Sequence, residues 1–105
     1  MSDDLSVYNS PFTLDREMGY TRKEFFSLLP VTLADYAFTV TSDGASIQLE
    51  RGTVEIQVGI ERERRFTDLV SFPILPVNIR FTGVEPDDES NFLRNFDRHY
   101  FKGLG

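Results

Sequence analysis

His99 is the only histidine in a 105-residue chain that contains no cysteine. Thiol nucleophiles, zinc–thiolate centres and disulfides are therefore excluded. A single imidazole needs companion ligands to hold a metal, or an oriented hydroxyl to drive nucleophilic attack. The residues around His99 supply neither, and its place beside Phe96 and Tyr100 suits a half-buried side chain at a core margin. Asp87, Asp88 and Glu89 lack the alternate-residue spacing and downstream glutamate of a calcium loop. Following Pro86, they fit the first turn of a helix, where the dipole favours negative charge. Asp68 is the one acid on an inward phase of its segment, which makes it the best candidate for an unusual environment. A solvated rim or a bulge that turns it outward is the simpler account. Glycine-rich phosphate loops, G-x-S-x-G and H-E-x-x-H are all missing. No cofactor is expected, and nothing in the sequence supports catalysis.

The densest charge run is "IERERRF", residues 60–66. Ile60 and Phe66 read as inward residues, so Glu61–Arg65 is expected to be the loop joining two antiparallel strands. Such a tip is solvated, and its exposed ion pairs stabilise little. Arg62, Arg64 and Arg65 are nonetheless the residues placed to contact a partner, as the main positive group on a chain of net charge −6. That acidity repels phosphate backbones.

These residues must be positioned by a chain whose 40% hydrophobic and 27% charged content is ordinary for a globular domain, with ten Phe and four Tyr as bulky core material. The N-terminus carries acids where a secretory signal needs bases, and no apolar run reaches membrane length. A cytoplasmic location is expected. Residues 1–19 read as an arm, either flexible or docking Val7, Phe12 and Leu14. Residues 20–105 read as one domain.

Within that domain, Thr21 and Glu24 form a capping box, with Tyr20 and Phe25 as a hydrophobic staple. A helix from Arg22 follows, with a kink or break expected at Pro30. From Tyr36 the apolar period becomes two. Asp43–Gly44 as a hairpin turn sets Val40 opposite Ile47 and Phe38 opposite Leu49. Arg51–Gly52 as a second turn sets Leu49 opposite Val54 and Ile47 opposite Ile56, so both turns give one apolar face. The 61–65 loop would set Val58 opposite Asp68, Ile56 opposite Val70 and Val54 opposite Phe72. Two prolines in "FPILPV" suit a turn or edge rather than a strand centre. Val77, Ile79 and Phe81 make a fifth strand. A last helix from Pro86 buries Phe92, Leu93, Phe96 and Tyr100, with Arg98 and Lys102 in its final turn and Gly103 as its cap.

The fold expected is α+β in two layers: a five-stranded antiparallel β-meander with an N-terminal and a C-terminal helix packed on one face. The outward sheet face is polar and lacks the aromatic platforms of single-strand nucleic-acid readers. The function expected is a small non-catalytic protein-binding domain, acting as an adaptor, an accessory subunit or a homo-oligomer. Its partner would be another protein or a second copy of itself, with nucleic acid disfavoured as a third reading and no membrane. The strand at 76–82 offers an edge to which a partner strand could add. The alternative is a small-molecule-binding protein or minor enzyme, with a pocket between helices and sheet rimmed by Asp68, His99 or Tyr100.

Overall fold

The computed structural model describes residues 12–100. The chain runs β1 (Phe12–Met18), α1 (Arg22–Thr32), β2 (Ala37–Thr41), β3 (Gly44–Gln48), β4 (Thr53–Val58), β5 (Arg62–Arg65), β6 (Ser71–Thr82) and α2 (Pro86–Tyr100). The strands form an antiparallel sheet in the order β1-β6-β4-β3-β2, with β5 paired to β6 alone. The class is α+β, with one helix before the β2–β6 run and one after it.

One sheet face is apolar. Ile47, Val54, Ile56, Val58, Leu75, Val77, Ile79 and Phe81 all lie buried in one cluster with Phe25 and Leu29 of α1 and with Phe92, Phe96 and Tyr100 of α2. Alternation along each strand sends the residues between them to the open face. α1 begins on the expected capping box: Thr21 Oγ1 accepts from the Glu24 N–H at 3.1 Å, and Glu24 Oε1 accepts from the Thr21 N–H at 2.9 Å. The helix does not stop at Pro30 but continues to Thr32, with Leu33 N–H donating to Leu29 O at 3.0 Å. Its end is held from the other helix, because Asn95 Nδ2 donates to the Thr32 carbonyl at 3.0 Å, one of the acceptors that every helix terminus leaves over.

Both short hairpins keep the expected faces but pair two residues out of the expected register. The first loop is Ser42–Asp43, so Phe38 faces Ile47 and Val40 faces Ala45. Gly44 is not in the turn. It opens β3, where an added Cβ would sit 1.8 Å from the Ile56 carbonyl oxygen, so the strands approach too closely for a side chain. The second loop spans Leu49–Gly52, so Ile47 faces Val54 and Ala45 faces Ile56. Gly52 takes φ +88°, the left-handed conformation glycine adopts without steric cost. A shift of two conserves every inward residue. Hydrophobic pattern therefore fixed the face but could not fix the register.

The larger departures lie beyond Val58. β4 pairs with β6 as Val54–Phe81, Ile56–Ile79 and Val58–Val77, not with residues 68–72. Residues 71–82 are one twelve-residue strand, not a short strand followed by a fifth. Residues 62–65 are the strand β5 rather than a loop, paired as Arg62–Ile74, Glu63–Pro73, Arg64–Phe72 and Arg65–Ser71. The register between the two segments changes by one residue across Gly59–Glu61, which is a bulge. The tip of this long hairpin is Phe66–Val70, closed by the Phe66 N–H donating to Val70 O at 2.8 Å.

Both prolines of β6 sit where a strand loses nothing by them. Pro76 faces the bulge, where the ladder is already interrupted and its own carbonyl accepts from the Gly59 N–H. Pro73 turns its nitrogen to the other side, past the last β1 partner, Met18 opposite Leu75. The outer edge of β6 is not open at 76–82 as expected, because β1 occupies it over Phe12–Met18. This segment belongs to the arm expected at 1–19. Leu14 is half-buried there and Phe12 stacks on Phe81, whereas Val7 lies outside the described residues. The expected roles of Lys102 and Gly103 also fall outside them.

Candidate interaction surface

Beyond the bulge, β5 and the first four residues of β6 stand clear of the sheet as a two-stranded ribbon. Among the described residues no third strand pairs with β5. Every residue from Ile60 to Phe72 is exposed. Ile60 is 84% exposed, Phe66 69%, Leu69 95% and Phe72 48%, and with Val70 they make five of the eight exposed large hydrophobics among the described residues. Exposed apolar side chains that gather in one place mark a contact surface more than scattered ones do.

The ribbon has two unlike faces. Cross-strand partners share a face, so Arg62 with Ile74, Arg64 with Phe72, and Phe66 with Val70 form successive rows on the side that continues the open sheet face. Phe66 and Phe72 meet edge to face at 5.2 Å. Glu17 of β1 anchors the two arginines: its Oε2 lies 2.8 Å from Arg62 and its Oε1 3.8 Å from Arg64. Glu63, Arg65, Ser71 and Pro73 occupy the other face. Of the three arginines singled out by sequence, Arg62 and Arg64 thus come together on the aromatic side, and Arg65 stands apart. Asp68 is at the exposed tip, so its inward phase was an artefact of the missing bulge.

The base of the ribbon is fixed by a residue the sequence did not single out. Arg22, at the start of α1, donates from Nη1 to the carbonyls of Val58 (3.3 Å) and Gly59 (2.8 Å). From Nη2 it donates to Ser42 O (2.8 Å) and Asp43 Oδ1 (3.0 Å). Its backbone N–H donates to Glu61 Oε1 at 2.8 Å, and its guanidinium lies 5.3 Å from the centre of the Phe26 ring. One planar five-donor group therefore satisfies the acceptors left over by the bulge and by the β2–β3 turn together. Only the placement of a base at a helix start, where the dipole disfavours it, was a hint.

The other expected groups are unremarkable. His99 is half-buried, with Nδ1 2.9 Å from Asn95 O one helical turn back. Tyr100 is buried and donates to Phe25 O at 2.8 Å, while Tyr20 donates to Tyr100 O at 2.5 Å. Burial raises the Tyr100 pKa well above that of an ordinary tyrosine. Burial likewise raises the Glu89 carboxyl at the start of α2. Among the described residues, no group of three or more His, Cys, Asp or Glu could hold a metal, and no helix is long and apolar enough to cross a membrane. A hollow of about 570 Å³ lies on the open sheet face at the level of the bulge, lined by Asp15, Glu17, Gln57, Asn78 and Asp43 among others. It is on the side away from the helices, and Asp68, His99 and Tyr100 do not line it. Comparison with protein-family models, with curated proteins and with solved structures gives no match.

Proposed function

We propose that this is a small non-catalytic protein-binding domain, in which the helices and the main sheet hold the β5–β6 ribbon out as the contact surface. The observation that carries this reading is the row of Phe66, Val70 and Phe72 beside Arg62 and Arg64, outside the core. Aromatic residues and arginine are the types that dominate binding energy at protein interfaces. An isolated two-stranded ribbon is marginal in water, so a partner that covers it gains both apolar burial and an ordered template. Glu61, Glu63 and Asp68 offset the three arginines, which favours a protein surface over an anionic membrane or nucleic acid.

The test uses the full chain and a Phe66→Ser/Phe72→Ser variant as paired baits in an extract of the source cell. A partner held by the native chain and lost by the variant, with both equally folded by circular dichroism, supports the reading. Identical partners for both would overturn it. The open-face hollow supports a second reading, a small cationic ligand held by Asp15, since its volume is within the usual range for ligand sites. A metabolite panel that raises the melting temperature of the native chain, and not of Asp15→Asn, would favour that reading.

A further inference from the structure

We infer that the open edge of β5 pairs with the same edge of a second copy of this chain, the two strands running antiparallel about a two-fold axis at Arg64. The inference rests on the ribbon being a protein-contact surface and names its partner.

The backbone sets the permitted registers. The Phe66 N–H is directed across the ribbon to Val70 O. By the alternation of an antiparallel ladder, residues 62 and 64 turn the same way, and the amides and carbonyls of Glu63 and Arg65 point to the open edge. β5 has no partner there among the described residues. Two copies that meet through this edge must set odd residues opposite odd and even opposite even, or edge donors would face no acceptor.

Charge then chooses among those registers. An axis at Glu63 sets Glu63 against itself and Arg62 against Arg64 of the other copy twice, three like pairs against two opposite ones of Glu61 with Arg65. An axis at Arg62 sets Arg62 against itself and Glu61 against Glu63. An axis at Arg65 sets Arg65 against itself, and its one opposite-charge pairing, Arg62 with Asp68, reaches beyond β5 to the tip and uses an arginine already paired with Glu17. Only an axis at Arg64 joins opposite charges that both lie within β5, Glu63 with Arg65, once on each side. Glu63 and Arg65 are also the two charges of β5 that make no ion pair among the described residues, whereas Arg62 and Arg64 already share Glu17. The same register sets Arg62 against Phe66 of the second copy, a cation over an exposed ring. The like pair at the axis, Arg64 with Arg64, has a Glu17 carboxylate beside each member.

The exposed apolar residues follow the same register. Ile60 falls level with Asp68 of the second copy and therefore beside its Leu69, which brings together the two most exposed large hydrophobics of the chain. β3 begins at Gly44 opposite Gln57, seven residues below the axis, whereas the tip at Asp68 reaches only four residues beyond it, so β3 of one copy stands clear of the other's tip.

The chain has no cysteine, so an introduced one is a unique reporter. Two residues facing each other at the axis of an antiparallel pair lie within disulfide reach. Arg64→Cys should give a covalent dimer on mild oxidation, and Glu63→Cys and Arg65→Cys should give far less. In sedimentation of the uncoupled protein, Glu63→Arg and Arg65→Glu should each weaken dimerisation about tenfold or more. The double swap Glu63→Arg/Arg65→Glu should restore it. A native chain that stays monomeric at every concentration would overturn the inference, as would equal cross-linking at all three positions or a double swap without rescue. Failure here leaves a distinct mark from failure of the binding role: a monomer whose heterologous partner is still lost on Phe66→Ser/Phe72→Ser retains that role with a different occupant.

Discussion

Arg22 shows at the scale of one residue how the fold and the candidate surface are joined. Its side chain ties α1 to the bulge and to the first β-turn through four acceptors, and its backbone ties Glu61 to the helix start. Arg22→Ala should cost about 2–3 kcal/mol in urea unfolding, since hydrogen bonds from a charged donor are worth about 1.5–3 kcal/mol and partly buried carbonyls lose their donor. Arg22→Lys should recover little, because a single ammonium cannot span both sites. A loss under about 0.5 kcal/mol, typical of exposed positions, would show that water replaces the side chain freely. His99→Gln, by contrast, should leave partner binding unchanged and alter stability by less than about 1 kcal/mol, since its one close partner is a carbonyl of its own helix. Arg22 was not legible in the sequence because its partners are backbone carbonyls, which have no side-chain signature. His99 was legible because its neighbours on the helical stripe are apolar.

At the scale of elements, α2 was read almost completely, and the β4–β6 hairpin was read least well. α2 carries a 3.6-residue period with acids in its first turn, so Phe92, Phe96 and Tyr100 were identifiable as its buried face, and all three are buried. Phe96 is fully buried against Phe25, Phe92 and Tyr100. Phe96→Ala should therefore cost about 3–5 kcal/mol, measured by urea unfolding, and a loss below about 1 kcal/mol would mean that the cavity collapses. Tyr100 adds a pH dependence. Its folded pKa is raised, so at alkaline pH the unfolded chain releases the phenolic proton first. Stability from this group is whole below about pH 10 and falls as pH rises beyond it. Tyr100→Phe should remove part of that alkaline loss, and an unchanged profile would show that the hydroxyl is freely solvated. In the hairpin, the bulge at Gly59–Glu61 moved the phase of β5 by one, so Ile60 and Phe66 read as core and stand in solvent. A two-residue period carries no mark of a one-residue insertion. Pro73 and Pro76 argued against a strand because the chain does not announce that one faces a bulge and the other an unpaired edge.

At the scale of the whole molecule, two regions with opposite demands share one sheet. The helix-covered part buries nearly every large apolar side chain it contains, and the ribbon buries none from Ile60 to Phe72. The α+β class and the inward face were legible because each follows from local period and turn chemistry. The place of β1 was not, since its alternation of half-buried and exposed residues is too weak to separate from a polar arm. Thermal stability should accordingly be insensitive to Phe72→Ser: the loss should stay within about 0.5 kcal/mol, the range of exposed positions. A loss of several kcal/mol would place the ribbon inside the cooperative unit of folding.

Amide hydrogen exchange along residues 53–82, followed from dilute to concentrated protein, tests the ribbon most directly. The amides of β4 and of β6 from Val77 onward should exchange only by global unfolding at every concentration. Those of Glu63 and Arg65 should exchange quickly in dilute solution, because they face an open edge, and slow as the second copy covers them. Protection of Glu63 and Arg65 equal to that of Ile56 at the lowest concentration would contradict the account, as would rapid exchange that concentration never slows.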